Sequence, residues 1–451
     1  MLCHTVPLAL VSLGQPLPTG LDPASPPFSP GWRPESIGFI ESEDYPIACH
    51  WARAQDEDRC PAILEQIELS WQVQVEQIGF NAPVPDGDGL LDVYLTNEGT
   101  GGGAYAYGPS TDAVTGDGQM STAAYIAIDY SISDAEMPGY TTHEFNHVLQ
   151  YATDFTEPTY MIWESVASAA ERWTIPEMDV YSDYAKDFQK TPWLGILGDG
   201  TYLWDEYEIW SYYEYGGYIW AFHLDHAWGD GLGGGGRDLW AMAAQEGNRN
   251  DPDVLDAYDE LSGDWRQAIL DLSIARAQMG TERAPAWAPW SGRGFMPTTS
   301  ADLGLEELPA THTPEIGAYE TGTVYLRLTD IPVGTQLRVE LESGSDVEWG
   351  WVWVQGSTEL SGFGSSFEHS TAEQGDLLLG FVNLGAEGFD GDDAIQAASF
   401  TISLSTVEGD GGDEAEDGGD GGEKGGCGCA APAPMGGLLL APLLLWVRRR
   451  G

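Results

Sequence analysis

The sequence predicts an α+β domain followed by a small antiparallel β-sandwich. Two observations predict the first part. Short alternating segments, "LLDVYLT" and "AAYIAIDYSI", precede longer segments whose apolar residues recur at helical spacing. A third observation predicts the sandwich. From about Pro314 to Thr406 the text becomes "GTVYLRLTDI", "TQLRVELES", "EWGWVWVQG", "DLLLGFVNL" and "ASFTISLS", period-two runs broken by Gly, Asp and Ser. With 42% hydrophobic and 11% aromatic residues in 451 positions, the chain can bury more than one core.

In chain order, residues 1–36 open with "MLCHTVPLALVSLGQPLPTG", whose apolar run has no Lys or Arg before it. That makes a weak export signal, as a misplaced start codon would. The prolines from Pro16 to Pro34 read as an extended lead-in. Residues 37–290 form the main domain. Within it, "ILEQIELSWQVQVEQIGF" (Ile63–Phe80) predicts a helix, and the two alternating segments predict half-buried strands. "PTYMIWESVASAAERW" (Pro158–Trp173), "YEYGGYIWAFHLDHAW" and "DVLDAYDELSGDWRQAILDLSIARAQM" predict further helices, and the glycines from Gly231 to Gly236 a surface loop. The sandwich covers 314–406. Residues 407–426 are acidic and Gly-rich with little to bury, so they read as a solvated linker. Residues 427–451, "CGCAAPAPMGGLLLAPLLLWVRRRG", contain Ala430–Val447, long enough to span a bilayer at roughly 1.5 Å per residue. Arg448–Arg450 would hold its end on the cytoplasmic side.

Charge excludes one class of partner. Lys plus Arg number 18 against 72 Asp plus Glu, a formal charge of −54, so the surface repels phosphate backbones and nucleic acid is not a partner. The five cysteines fall into three settings: Cys3 alone, Cys49 with Cys60, and Cys427 with Cys429. Cys49 and Cys60 have no histidine partners at zinc-finger spacing, so they predict a short-loop disulfide and an oxidising compartment.

The chemistry-bearing stretch is "YTTHEFNHVLQY", Tyr140–Tyr151, where His143-Glu144-Phe145-Asn146-His147 matches H-E-x-x-H. On a helix, positions i and i+4 lie one above the other, so both imidazoles reach one Zn²⁺ and Glu144 faces the water that the zinc activates. Thr141 or Thr142 would cap that helix. A catalytic zinc takes three protein ligands and an open position. No third histidine follows in "VLQYATDFTEP", which excludes the metzincin pattern. Glu164 and Glu171, seven residues apart on one predicted helical face, are the candidates; the alternative for both is an exposed helix face.

Here the chain resembles the gluzincin metallopeptidases, in particular the thermolysin-like and aminopeptidase-like enzymes, whose third ligand is a glutamate on the next helix. Trp163 to Glu171, "WESVASAAE", is similar to the aminopeptidase segment N-E-G-F-A-S-x-x-E, with Trp for Asn, Ser for Gly and Val for Phe. The resemblance implies a zincin-like fold, Glu164 as ligand and Glu171 as the acceptor that orients a ligating imidazole. Tyr213-Glu214-Tyr215-Gly216 resembles the Y-E-K-G of the same enzymes, which implies Tyr213 as the donor to the oxyanion, with Tyr215 next in order. The main domain also resembles secreted metalloproteases of myxobacteria. The acidic linker, Cys427-Gly428-Cys429, apolar span and terminal arginines resemble the myxobacterial C-terminal sorting tail, which implies surface sorting and processing near the cysteines.

Three further groups stand apart. His223 and His226 lie at i, i+3 and read as solvent-facing or core-edge residues, with a second metal pair as the alternative. Asp86, Asp88 and Asp92 resemble part of a calcium loop but lack its twelfth-position acid. Trp163, Val166, Ala167 and Ala170 read as the stripe that packs the glutamate helix. The expectation is an exported, surface-anchored zinc peptidase acting on protein or peptide substrates. With no G-x-M-E-N-like segment to hold a free amine, endopeptidase outranks aminopeptidase. The strand "AAYIAIDYSI" would pair with an extended substrate. The alternative is a non-catalytic adhesin with a structural or relic zinc site.

Overall fold

The computed structural model of the protein describes residues 33–85, 87–108, 121–155, 157, 159–178, 182–244, 252–288 and 293–407. The chain divides into two units, Met1–Val407 and Glu408–Gly451. The expected linker beyond Val407, the sorting cysteines Cys427 and Cys429, and the apolar span fall in the second unit, outside the described residues; the signal-like start, in the first unit, is also outside them. Among the described residues no helix is long and apolar enough to cross a membrane.

The first unit is α+β. Its N-terminal sheet contains β1 (Gly38–Glu41), β2 (Ile47–Trp51), β3 (Leu91–Thr96), β4 (Ala104–Tyr107) and β5 (Tyr125–Asp129), in the order β1-β2-β3-β5-β4. β2, β3 and β5 run parallel, whereas β1 and β4 lie antiparallel at the two edges. Parallel neighbours need a crossover. Between β2 and β3 it is α1 (Cys60–Ser70) with a π-helical continuation, Trp71–Ile78, that ends at Gly79 in left-handed backbone, φ +93°. Cys49 on β2 and Cys60 at the head of α1 form a disulfide with a Cα–Cα distance of 5.6 Å, as their spacing predicts.

β3 and β5 are buried throughout rather than half-buried. Ile126 and Ile128 enter the main core, while Tyr125 and Ala127 join Tyr94 and Tyr107 on the other side. Parallel strands are usually covered on both faces, and alternation of Tyr/Ala with Ile hides this in the sequence.

The helical half comprises α2 (Met137–Tyr151), α3 (Tyr160–Thr174), α4 (Ser182–Lys190), α5 (Gly200–Tyr207), α6 (Tyr213–Gly216), α7 (Tyr218–Trp228), α8 (Gly234–Ala243), α9 (Val254–Ser262) and α10 (Trp265–Gln278). Gly263 at φ +81° ends α9, and Asp264 caps α10 by accepting from the backbone of Arg266 and Gln267. Gly233–Gly236, expected on the surface, are buried, because the Asp225 carboxylate accepts from the backbone N–H groups of Gly233 and Gly235.

The sandwich is built from β6 (Thr299–Gly304), β7 (Ala310–His312), β8 (Thr323–Ile331), β9 (Gln336–Ser343), β10 (Trp349–Gln355), β11 (Thr358–Phe363), β12 (Ser366–Ser370), β13 (Gly375–Asn383) and β14 (Phe400–Thr406). Sheets β11-β10-β13-β8-β6 and β12-β9-β14-β7 enclose a core that includes Leu326, Val339, Phe381 and Ile402. Two expectations change. β6 and β7 extend the sandwich before residue 314, their short half-exposed text carrying little apolar signal. β6 also runs parallel to β8, so the sandwich is not wholly antiparallel. Its first sheet packs on α10. Tyr325 Oη donates to Ser273 O at 2.6 Å, and a Cβ at Gly350 would meet Leu270 Cδ2 at 2.5 Å, so glycine permits the close approach.

Candidate metal centre

The motif helix begins at Met137, with Pro138 in its first turn, so Thr141 and Thr142 are interior residues rather than caps. Thr142 Oγ1 accepts from Gln66 Nε2 at 2.8 Å and lies 3.1 Å from Ser70 Oγ. Asn146 Nδ2 donates to Gln74 Oε1 at 3.0 Å, while Phe145, Val148 and Leu149 enter the core. A buried polar group stripped of its partner costs about 1–3 kcal/mol. These bonds therefore fix the rotation of α2 against α1 and its continuation.

That rotation presents His143 and His147 to α3, where Trp163, Val166, Ala167 and Ala170 are buried as expected and Glu164 and Glu171 point back. His143 Nε2 lies 3.1 Å from His147 Nε2 and 3.0 Å from Glu164 Oε2, and His147 Nε2 lies 3.6 Å from the same oxygen. The outer nitrogens are also held. His143 Nδ1 bonds Glu171 Oε1 at 2.8 Å and His147 Nδ1 bonds Gln150 Oε1 at 2.6 Å. Gln150 Nε2 donates to Trp163 O, which leaves its oxygen for the imidazole. With both acceptors outside, each ring carries a proton on Nδ1 and turns Nε2 inward.

Two nitrogen donors and a carboxylate oxygen thus converge on one point. Ligand atoms about 2.0–2.1 Å from a tetrahedral zinc lie roughly 3.3 Å apart, and the three separations bracket that value. The donor set fits Zn²⁺, and all three side chains are at least nine-tenths buried.

Electrostatics divide the carboxylates by role. Burial would raise the pKa of Glu164, but His147 and His143 outweigh it and hold it well below the ordinary range. Burial would lower that of His143, but its bonds to Glu164 and Glu171 outweigh it and raise it well above the ordinary value. Glu144 differs. Burial raises its pKa, against the opposing pull of His147 and His143, and the backbone N–H of Ala106 on edge strand β4 donates to it. Glu144 sits beside the centre and is not one of the three converging donors.

Tyr213, expected as the oxyanion donor, is not at this centre. It is fully buried, its hydroxyl donates to Gly195 O at 2.6 Å, and its ring packs on Phe188. Tyr215, two positions on, stacks on His143 with ring centroids 5.8 Å apart. Tyr160, which sequence reasoning missed, hydrogen-bonds Glu164. Gln150 was missed too, although its position three residues after His147 is a signal that it shares the ligand face.

The remaining candidates go elsewhere. His223 is buried and His226 exposed, and among the described residues they join no metal-ligating group. Asp86 lies outside the described residues, and Asp88 Oδ1 accepts from Leu90 N in its turn. Asp92 is buried, bonded to His50 Nε2 at 2.9 Å and Tyr94 Oη at 3.1 Å, so its carboxylate serves the sheet rather than a calcium loop.

No protein-family model and no curated protein matches the chain. Solved structures give distant likenesses. One is the pre-peptidase C-terminal domain of a collagenase from Bacillus anthracis, at 12% identity over 24% of this chain and 97% of that one, TM-score 0.18. Another is PliG of Salmonella Typhimurium, a periplasmic inhibitor of g-type lysozyme, at 9% over 24% and 99%, TM-score 0.18. A third is a 4-O-methyl-α-glucuronidase with specificity for decorated arabinogalactans, at 8% over 62% and 31%, TM-score 0.16. Likenesses this slight carry no weight for fold or function.

Proposed function

We propose that the protein is a zinc-dependent peptidase of gluzincin type, exported and anchored at the cell surface, with endopeptidase action. The observation that carries this reading is the convergence of His143 Nε2, His147 Nε2 and Glu164 Oε2, each imidazole held from behind by an acceptor. The five-stranded sheet with an antiparallel edge strand beside the motif helix supports a zincin-like architecture. The acidic surface, the Cys49–Cys60 disulfide and the tail that includes Cys427 and Cys429 support export.

A zinc ion held by the three ligands would supply Lewis acidity, polarising a carbonyl and acidifying water. Glu144, beside the three ligands, would accept a proton from attacking water and pass it to the leaving amine, and its raised pKa suits a group that must both accept and release a proton. Tyr215, at the His143 face, donates its hydroxyl to the developing oxyanion in place of Tyr213. An extended peptide pairs with β4 rather than with "AAYIAIDYSI", because β5 has neighbours on both sides and β4 is the last strand of the sheet.

The test is zinc content and casein or gelatin cleavage of the whole chain, with Glu144→Gln and Glu164→Ala beside it. The expected result is one zinc in the wild type and in Glu144→Gln, an activity loss of about 10²–10⁴-fold in Glu144→Gln, and loss of zinc in Glu164→Ala. Zinc retained with cleavage equal, or absent, in both wild type and Glu144→Gln would overturn the proposal in favour of a binding protein with a structural zinc.

A further inference from the structure

A second group of ligand-type side chains lies away from the histidines, where the helical half meets the sandwich. One oxygen from each of Asp253, Asp390 and Asp392 lies within 4.8 Å of the others. Asp253 precedes α9, and Asp390 and Asp392 belong to the segment "FDGDD" between β13 and β14. An acidic cluster alone is ordinary on a chain of charge −54, but Asp253 is not a surface acid. It is 1% exposed. Its Oδ1 caps α9, accepting from Leu255 N at 2.7 Å and Asp256 N at 3.2 Å, while its Oδ2 is buried with no hydrogen-bond partner. The carboxylate lies against Gly391, where a Cβ would meet Oδ2 at 2.5 Å and Oδ1 at 2.6 Å. A buried carboxylate with one unpartnered oxygen thus packs directly against the turn that carries the other two acids.

We infer that Asp253, Asp390 and Asp392 bind a calcium ion that clamps α9 to the β13–β14 turn of the sandwich.

The chemistry favours Ca²⁺ over other ions. The donors are all hard oxygens, with neither the imidazole nor the thiolate that a transition metal would select. Three protein carboxylates suit Ca²⁺, which takes six to eight oxygens in flexible geometry, whereas Mg²⁺ keeps several of its waters and usually takes one or two carboxylates. Asp253 is buried, Asp390 half-buried and Asp392 exposed, so the outer side can be completed by water. Among the described residues no lysine or arginine pairs with these three carboxylates. Burial and then Asp390 push the Asp253 pKa up to about 7. Glu157, in the connection between the two ligand-bearing helices, is pushed up to about 8 by burial, with Asp253 and Asp154 adding to it. A divalent cation relieves this repulsion. It would steady the α2–α3 connection as well as the sandwich, and it is separate from the residues assigned to zinc.

The experiment is titration calorimetry of the whole, zinc-loaded chain with CaCl₂, and with MgCl₂ in parallel, together with thermal midpoints at 1 mM of each ion. The variants are Asp392→Asn, whose exposed side chain is not needed for folding, and Asp253→Asn, which keeps a capping oxygen. The expected result is one saturable calcium site with a Kd in the range of about 10⁻⁶–10⁻³ M. Calcium raises the wild-type midpoint by about 2 °C or more, and magnesium does not. Either variant weakens binding at least about tenfold and abolishes the midpoint shift. Glu164→Ala, which tests the zinc site, leaves calcium binding unchanged, so failure of one assignment is distinguishable from failure of the other. Absence of saturable binding, or wild-type binding in both Asp→Asn variants, would overturn the inference.

Discussion

Replacing Glu171 with Gln keeps the shape of the acceptor behind His143 and removes its charge. Glu171 Oε1 lies 2.8 Å from His143 Nδ1, and the residue is 1% exposed. A hydrogen bond to a charged group contributes about 1.5–3 kcal/mol, against about 0.5–1.5 for a neutral one. The exchange therefore costs roughly 1–1.5 kcal/mol, a five- to tenfold loss of zinc affinity, at the low end of the about 10–100-fold that outer partners of metal ligands govern. The proton works in the opposite direction. Burial pushes the His143 pKa down, yet Glu164 and Glu171 outweigh it and hold it well above the ordinary value. Zinc requires the neutral ring, so protons compete with metal at every pH below that raised pKa. Removing the Glu171 charge lowers the pKa, and Glu171→Gln then loses less affinity on acidification than the wild type. Plotted against pH, the two log-affinity curves are separated by nearly one log unit at pH 8 and approach each other towards pH 5.5. Competition between the protein and a chelator of known zinc affinity, at half-unit pH steps, measures both curves. Equal affinities at pH 8, or a gap that stays constant down to pH 5.5, would refute this role for Glu171.

Two further outcomes separate catalysis from packing. Tyr215→Phe should lower kcat by about 10²–10³-fold with zinc content unchanged. Tyr213→Phe should leave kcat within about twofold and cost about 1–2 kcal/mol of stability, because it strips the buried Gly195 carbonyl of its donor; steady-state kinetics and urea unfolding of the pair decide. His223 tests the core. Burial, and then His226, depress its pKa to about 4. The unfolded chain, with a histidine near 6.5, therefore binds more protons between those values, and stability present above pH 6.5 falls by about 3 kcal/mol by pH 4. His223→Leu should lose less stability than the wild type over that window, and identical pH dependence in urea unfolding would count against a neutral buried ring.

The proposed metal ligands are legible in the sequence because helical spacing is geometry. Once α2 and α3 form, His143 and His147 at i, i+4, and Glu164 and Glu171 at i, i+7, share faces whatever surrounds them. The fold had only to bring those two faces together, and the buried stripe of Trp163, Val166, Ala167 and Ala170 does so. Tyr213 and Tyr215 show where this reasoning stops. Two positions apart on α6, they project about 200° apart at 3.6 residues per turn, so only one can meet His143. Motif resemblance ranks Tyr213 first, but Phe188 and the Gly195 carbonyl take that side of α6 into the core. The edge strand is hidden for a related reason. Alternation identifies β5 as a strand without saying that it has a neighbour on both sides; the four-residue β4, which the sequence reading did not single out, takes the edge in the order β3-β5-β4. Asp253 and Asp390 are the extreme case, since no period, cap or motif connects a helix start to a turn in another sheet. What betrays that pair is an accounting failure visible only after folding: a buried carboxylate oxygen without a partner, facing two more acids, on a chain that had ample surface on which to leave it.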